Sequence, residues 1–559
     1  MLRRAHVVLV SVCVLLAPAV AQAGGLEYTA SGTRALGRGG AFMARADDPV
    51  TLRYNPAALA FLPGMQLSLE SHLAFYDSCV QREGGYDDSG VSSTFFYDST
   101  FGTPDTSDPN NFASMQFPEI CRGGPPGPSP NLLFSFHPME GLGIAFGLLA
   151  PAGLGTSTWG EGDGTFIVDG QTLPSPVRYQ VVDQSVLLAY PSIGVGYSPI
   201  PELAFGATFM WGIATVDYTT MTSSGDGPQD PANDARARLQ LQDWFIPGIA
   251  LSVHVRPIDA LDITVNARFS DAIDADGQIT VTTGAFGTGM GASLTPAPQT
   301  LQGAGLRAGQ PWQFGLGVRY ADRIYERPRD PERRGRLTGR VEDSMQNENW
   351  DLELDVVYFM NSQVTDFVTR TPDEAVGVCE APSTAAECIE NNYNGLLVSL
   401  PPRIPIAKGW SDQVSIRLGG DWNIFPGLFA VRAGAHFETS GLNDNYQGPD
   451  FLPGMRLGLH LGATLRIERF DISVAYAHIF QFDHRVSAAD ARLRHTAATN
   501  SGNNEYTCGG ADGMPEAYDE DNPVVHRGCY PRGFGSVVNA ANYQAEINVV
   551  SLQVRYHFE

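Results

Sequence analysis

The sequence predicts an all-β transmembrane barrel of about 14 antiparallel strands, preceded by an N-terminal hatch, or plug, that contains short helices. Three observations carry this prediction. Beyond residue 64, run after run alternates apolar and polar residues, the period of two that marks a strand with unlike faces. Several runs reach nine to eleven residues, about the length a tilted strand needs to cross a bilayer; strands of soluble proteins average about five or six. The connections, finally, are tight on one side and long on the other, as in outer-membrane barrels.

Composition narrows the field further. The 559 residues are 43% hydrophobic and 17% charged, with a net charge of −25. Phosphate backbones select for clustered Lys and Arg, so nucleic acid is not an expected partner; Lys408 is the sole lysine. After residue 20 no run offers the roughly 20 apolar residues of a spanning helix. Aromatic residues make up 10% of the chain, too many for a disordered segment.

The first element is a signal peptide, residues 1–23. Arg3 and Arg4 open it, residues 7–20 are its apolar core, and Ala21-Gln22-Ala23 is the small-x-small cleavage site. Residues 24–64 follow as the hatch and do not alternate. Gly37, Gly39 and Gly40 cluster there, and Asn55-Pro56-Ala57 marks a turn with Pro placed to open a short apolar helix. A small Gly-rich segment ahead of so wide a barrel suits a plug, because the lumen must be filled or left as a water channel.

Residues 65–559 form the expected barrel. Strands are expected near 65–75, 131–137, 142–150, 186–198, 203–218, 244–255, 260–269, 311–320, 350–359, 411–422, 428–437, 455–467, 470–480 and 544–558. In the last, Val550, Leu552, Val554, Tyr556 and Phe558 share one face, while Ser551, Gln553, Arg555 and His557 share the other. In 350–359 the apolar face carries Trp350, Leu352, Leu354, Val356 and Tyr358, opposed by Asp351, Glu353 and Asp355. Arg319, Arg417, Arg432, His460 and Arg466 likewise oppose the apolar faces of their strands. An arginine on the lipid face would cost about 2–4 kcal/mol at the midplane, so these residues are expected to face the lumen.

Connections after even strands are mostly tight and those after odd strands mostly long; 321–349 breaks the rule, being long and Arg-rich on the expected periplasmic side. The six cysteines beyond the signal, Cys79, Cys121, Cys379, Cys388, Cys508 and Cys529, fall in pairs into long loops on the opposite side. An even count in an exported chain reads as disulfides. Fifteen pairings are possible, and local pairing is preferred: Cys79 with Cys121, Cys379 with Cys388, and Cys508 with Cys529.

The run Gly37-Arg38-Gly39-Gly40-Ala41, then Ala46-Asp47-Asp48, then Asn55-Pro56-Ala57 and Leu59 resembles the N-terminal hatch of the FadL/TodX family. Gln310-Pro311-Trp312 and residues 350–362 are similar to the family's middle strands. The family comprises outer-membrane channels for long-chain fatty acids and hydrophobic hydrocarbons. The resemblance implies passive uptake: capture in an extracellular apolar groove, then lateral exit at an inward kink of the third strand, contacted by the hatch Asn-Pro-Ala. The matching stretch is 148–155, with Ala150, Pro151, Ala152 and Gly153 at the kink. Independently of any likeness, Pro there cannot donate to a ladder and Gly favours bends.

The capture groove is expected among Gly284, Phe286, Met290, Leu294 and Leu301, and among Leu154, Trp159, Phe166 and Ile167. Arg319, Arg417 and Arg432 are the candidate partners of a ligand carboxylate; each could instead pair with Asp351, Glu353 or Asp355. The expected partners are a hydrophobic small molecule (fatty acid or hydrocarbon), outer-membrane lipid and lipopolysaccharide, and the barrel-assembly machinery. The chain is expected to be a monomer with neither cofactor nor metal. No catalytic residue is expected, since no Gly-x-Ser-x-Gly elbow occurs and His478 and His484 lack metal-ligand spacing. The alternative is a non-transporting surface barrel, an adhesin or structural protein acting through disulfide-stapled loops.

Overall fold

A computed structural model describes residues 31–85, 116–150, 156–168, 171–223, 234–285, 295–324, 343–379, 383–493 and 537–558, with 396, 401 and 452 left out, and short backbone strands within 329–337 and 506–531. The signal peptide, the start of the hatch, Leu154, Phe286, Met290, Leu294 and the kink residues Pro151, Ala152 and Gly153 lie outside the described residues.

Fourteen strands close into an antiparallel barrel: β1 (Met65–Arg82), β2 (Gly127–Met139), β3 (Leu142–Leu149), β4 (Asp183–Ile200), β5 (Leu203–Ser223), β6 (Asp234–Ile258), β7 (Leu261–Ser270), β8 (Trp312–Arg323), β9 (Glu348–Met360), β10 (Gln413–Phe425), β11 (Phe429–Glu438), β12 (Arg456–Ile467), β13 (Phe470–Val486) and β14 (Ala541–Phe558). Each pairs with the next, and β14 returns to β1 from Met65↔Phe558 to Arg82↔Ala541. Every expected strand is present. The end of the barrel holding Met65 and Phe558 is the periplasmic end of such a fold.

Alternation in sequence becomes inside and outside in the wall. Leu67, Leu69, Leu552 and Val554 are exposed, while Gln66, Ser68, Glu70, Ser551, Gln553 and Arg555 are buried. The outer surface is therefore a belt of Leu, Val, Ile and Phe with aromatic residues at its margins, including Trp211, Trp244 and Trp350. Apolar side chains lose nothing by facing lipid, whereas the inward polar residues pair across the lumen. Among the described residues no helix is long and apolar enough to cross a membrane.

Several strands run past their expected ends. β6 has 25 residues, and its early part, Arg236 to Gln242, leaves β7 to pair with a hairpin of Ile273–Thr283 and Ala297–Ala308. The hairpin pairs in turn with Asp366–Arg370, and that strand with Arg403–Ala407. This second tier stands on the outer rim. Its outer face carries a Gln240–Gln278–Gln302 ladder and Arg370 on Asp274 and Asp276. Its inner face turns Leu239, Leu241, Ile279, Val281 and Leu301 into the core.

The exceptional connection between β8 and β9 is long and periplasmic in the structure too. Its last turn, Ser344–Asn347, folds back beneath the hatch: Asp343 caps it through Met345 N, pairs with Arg466, and Ser344 bonds Asp47.

Candidate functional site

The hatch fills the periplasmic half of the lumen as α1 (Thr33–Gly37), α2 (Thr51–Tyr54) and a 3₁₀ helix over Pro56–Phe61. The acidic row of β9 seats it. Arg38 donates to both oxygens of Asp351 at 2.9 and 2.8 Å, to Glu353 at 3.0 Å and to Asp421 at 2.7 Å. Further along, Ala44 N donates to Glu353 Oε1 at 2.6 Å, and Phe42 N and Met43 N donate to Asp355 Oδ2 at 2.9 and 3.1 Å. Burial alone would lower the Arg38 guanidinium, but Asp351, Asp421 and Glu353 outweigh it and hold it charged, well above the ordinary arginine range. The lumen stripe that alternation predicts is thus the docking strip of the hatch.

Asn55-Pro56-Ala57 lies against the opposite wall. Gly143, Gly196 and Gly206 stand in register across β3, β4 and β5, and Ser252 of β6 continues the row. A Cβ on Gly206 would come within 2.1 Å of Ala57 N, one on Gly196 within 2.5 Å of Pro56 O, and one on Gly143 within 1.9 Å of Leu59 O. Only glycine lets the 3₁₀ helix lie this close. Ser252 Oγ accepts from Ala57 N at 2.8 Å. Asn55 Nδ2 donates to Met43 O at 2.8 Å and to Thr264 Oγ1 at 3.1 Å, so the motif ties two hatch segments to β6 and β7. Its partners lie on β4–β7, and the hatch meets β3 through Leu59 at Gly143.

Above the hatch one apolar cluster runs outward. It begins with Phe42, Met43, Leu52 and Leu59, passes Leu149, Leu188, Tyr190 and Met210, and ends at Ile279, Leu301, Phe367 and Trp410. Where it passes β3 the wall changes. β3 is the shortest strand of the barrel, and its pairing with β4 runs from Leu142↔Tyr197 to Leu149↔Tyr190. Among the described residues pairing on that side of β4 is next met at Thr156↔Ser185, although Val186 to Ala189 of β4 remain paired with β5. Pro128 and Pro130 on β2 and Pro191 on β4 stand beside the end of β3 and have no N–H to give a ladder. The first residue past β3, Ala150, donates its N–H to the side chain of Asn131 at 2.8 Å.

At the outer end Phe367, Trp410 and Phe451 form an edge-on triad with centroids 5.6–6.0 Å apart. Lys408 lies among them, its ammonium 5.4 and 5.5 Å from the Phe367 and Phe451 rings and paired with Asp450. A desolvated cation over aromatic faces is well held. Sequence reasoning did not reach this group; its one signal was a solitary lysine two residues before a tryptophan.

The three candidate arginines face the lumen and are engaged there. Arg319 donates to Asp351 at 2.7 Å and Asp262 at 2.9 Å and pairs with Glu348. Arg432 donates to Thr464 at 2.6 Å and lies 3.3 Å from Asp421. Arg417 donates to Ser415 at 3.0 Å, with Glu438 at 3.8 Å. The structure places them in the network around the hatch, so a ligand carboxylate would have to displace an internal acid.

Of the expected groove residues, Leu301 joins the main apolar cluster, Trp159 and Phe166 form a second one with Val80, Ile120 and Tyr543, and Ile167 is exposed. Disulfides join Cys79 to Cys121 and Cys379 to Cys388. Cys79 is a strand residue rather than a loop residue, because β1 extends to Arg82 and pairs with Ile120–Cys121. The backbone sets Cys508 opposite Cys529.

The fold and this interior together define a class: a closed outer-membrane β-barrel of fourteen strands, sealed by an N-terminal hatch beneath an apolar lumen. Solved structures share the architecture over nearly the whole chain. A Pseudomonas aeruginosa FadL homologue aligns with a TM-score of 0.60 at 14% identity, over 96% of this chain and 100% of its own. The Pseudomonas putida toluene transporter TodX aligns with a TM-score of 0.55 at 13% identity, over 95% and 99%. The Ralstonia pickettii toluene transporter TbuX gives 0.51 at 13%, over 94% and 99%. No protein-family model matches the sequence, and no curated protein matches it.

Proposed function

We propose that the chain is a passive outer-membrane channel for hydrophobic small molecules, long-chain fatty acids foremost, and that it releases them sideways into the membrane. The observation that carries this reading is the apolar cluster that runs outward from the hatch past the end of β3, where the described β3–β4 ladder stops at Leu149 and Ala150 N bonds Asn131 instead; this seam is the proposed exit. A water-filled pore offers such molecules no useful route: burial of a CH₂ is worth about 0.8 kcal/mol, so a sixteen-carbon chain prefers a dry site by on the order of 10 kcal/mol. It needs an apolar surface to collect it and an exit that avoids water. The outer tier supplies the first and the seam supplies the second, with Pro151 and Gly153 of the sequence unsuited to continuing the strand. The description of two solved neighbours as toluene transporters supports the same class of cargo.

For a fatty acid the head group would be met by Lys408 at the outer end of the path, in exchange for Asp450. No covalent step is involved, and the chain is proposed to act as a monomer. The test is uptake of a radiolabelled long-chain fatty acid and of a neutral aromatic hydrocarbon by cells that lack the gene, with and without the chain restored. Restored uptake of either is expected; equal uptake with and without the chain would refute the proposal.

A further inference from the structure

We infer that the outward face of the second tier is a sugar-binding surface, and that its occupant is the core oligosaccharide of the lipopolysaccharide around the barrel. The inference is independent of what passes through the lumen. On β6 the lipid-facing residues Val255, Val253, Leu251 and Ile249 are exposed at odd positions. A register shift between Asp243 and Ile246 then brings Trp244 and Phe245 both to the surface, as a bulge does by adding one residue. Beyond it the outward set is even, Gln242, Gln240 and Arg238, while Leu239 and Leu241 are buried. Trp211 Nε1 donates to Trp244 O at 2.7 Å, and this aromatic pair marks the interface where acyl chains give way to head groups. Gln240 and Arg238 stand roughly 13 and 20 Å further along the strand. The face that meets acyl chains below therefore meets the sugars of the same lipid above.

Neighbouring strands set polar residues side by side on this face. Gln240 pairs with Gln278, and Gln278 with Gln302; the next row outward holds Arg238, Thr280 and Thr300, and the next inward Gln242 and Asp276. The amides all run one way. Gln302 Nε2 donates to Gln278 Oε1 and Gln278 Nε2 to Gln240 Oε1, both at 3.0 Å, and Gln240 Nε2 donates to Asp217 Oδ2 at 3.3 Å. Each amide keeps a further N–H and a further lone pair for an outside partner. A sugar hydroxyl is donor and acceptor at once, so a row of such amides about 5 Å apart suits a polyol. The charged neighbours favour sugar over phosphate. Asp217 holds Arg238 in a fork at 2.9 and 2.6 Å, and Asp274 and Asp276 hold Arg370 at 2.7 Å, so an anion would have to displace a carboxylate. These three rows carry no apolar side chain, unlike the centre of a protein interface.

The test is native mass spectrometry of the full barrel in detergent, titrated with rough-type lipopolysaccharide, which has core sugars, and with lipid A, which lacks them. The wild type is expected to bind the lipopolysaccharide about tenfold more tightly than lipid A, the net worth of one or two hydrogen bonds. Gln240→Ala, Gln278→Ala and Gln302→Ala combined should erase that preference and leave lipid A binding as it was. A wild type without the preference, or a triple variant that keeps it, would overturn the inference. Lipid A retains its phosphates, so the first of these results would assign the contact to phosphate or acyl chain instead. If the triple variant gives no heat-resistant barrel, Gln278→Thr removes the middle link with a residue suited to strands. It should cut the preference about threefold, and an undiminished preference would overturn the inference equally.

Discussion

Arg38 of the hatch and Asp351 of β9, 313 residues apart in sequence, meet in a two-pronged ion pair at 2.9 and 2.8 Å in the middle of the barrel. Both side chains are fully buried. Asp421 and Glu353 crowd the same guanidinium, so one arginine neutralises a nest of acids that the wall supplies. Its removal would leave these carboxylates without it in a buried place. Breaking such a pair from one side costs about 3–5 kcal/mol. Arg38→Ala is expected to unseat the hatch, raising single-channel conductance in planar bilayers and lowering the unfolding midpoint. Unchanged conductance would show that the hatch is held elsewhere.

The glycine row makes a second, steric prediction. Gly206→Val places carbon where Ala57 N already lies, and overpacking of this kind costs about 1–3 kcal/mol. The 3₁₀ helix should be displaced, which hydrogen exchange of the peptide over 52–62 would report as faster exchange. The same substitution at Gly162, where an added Cβ meets nothing within 4 Å, should leave the hatch unaffected.

Asp47 should lose its hold on the hatch only at low pH. Burial by itself would push the Asp47 carboxyl up, but Arg34, Arg45 and Arg555 outweigh it and hold the group well below the ordinary carboxylate range. A carboxyl depressed in the folded state adds stability above its unfolded value of about 3.9, and that stability is lost as pH falls through the folded value. The difference in hatch-peptide exchange between Asp47→Asn and the unaltered chain should therefore stay flat from about pH 5 to 8 and shrink only below about pH 4. A difference between the two that changes between about pH 6 and 7 would contradict this assignment.

On the proposed route Lys408 would separate charged from neutral cargo. Lys408→Met keeps the length and apolar stem of the side chain within the aromatic triad but removes the charge. Loss of a charge-assisted hydrogen bond is worth about 1.5–3 kcal/mol. Fatty-acid affinity should fall roughly tenfold or more, while affinity for a neutral hydrocarbon should hold, as read by native mass spectrometry or calorimetry. Equal losses for both would mean that the lysine shapes the pocket without reading the head group.

What could be read from sequence was what period two encodes. All fourteen strands and their inward and outward faces follow from residues such as Val550, Ser551 and Leu552, because a lipid-facing position admits so few residue types. Strand ends were less legible. Above the membrane Cys79, or Arg236 on β6, can pair with strand or loop alike, so β1 and β6 ran beyond their expected limits. The lumen was the least legible part. Alternation places Asp351, Arg319 and Asp421 inside but does not say which acid meets which base, since those pairs depend on register between distant strands and on where the hatch lies. The Gly143–Gly196–Gly206 row is likewise invisible until three strands are set side by side.

The lateral seam between β3 and β4 is the central claim, and closing it tests that claim most directly. Pro151 and Gly153 replaced together by valine would offer the strand the donor and the β-branched side chain that it lacks there. Fatty-acid uptake by cells carrying this variant should fall to the level of cells without the gene, while the purified barrel should still bind the fatty acid. Uptake at the wild-type rate through the closed strand would contradict the account.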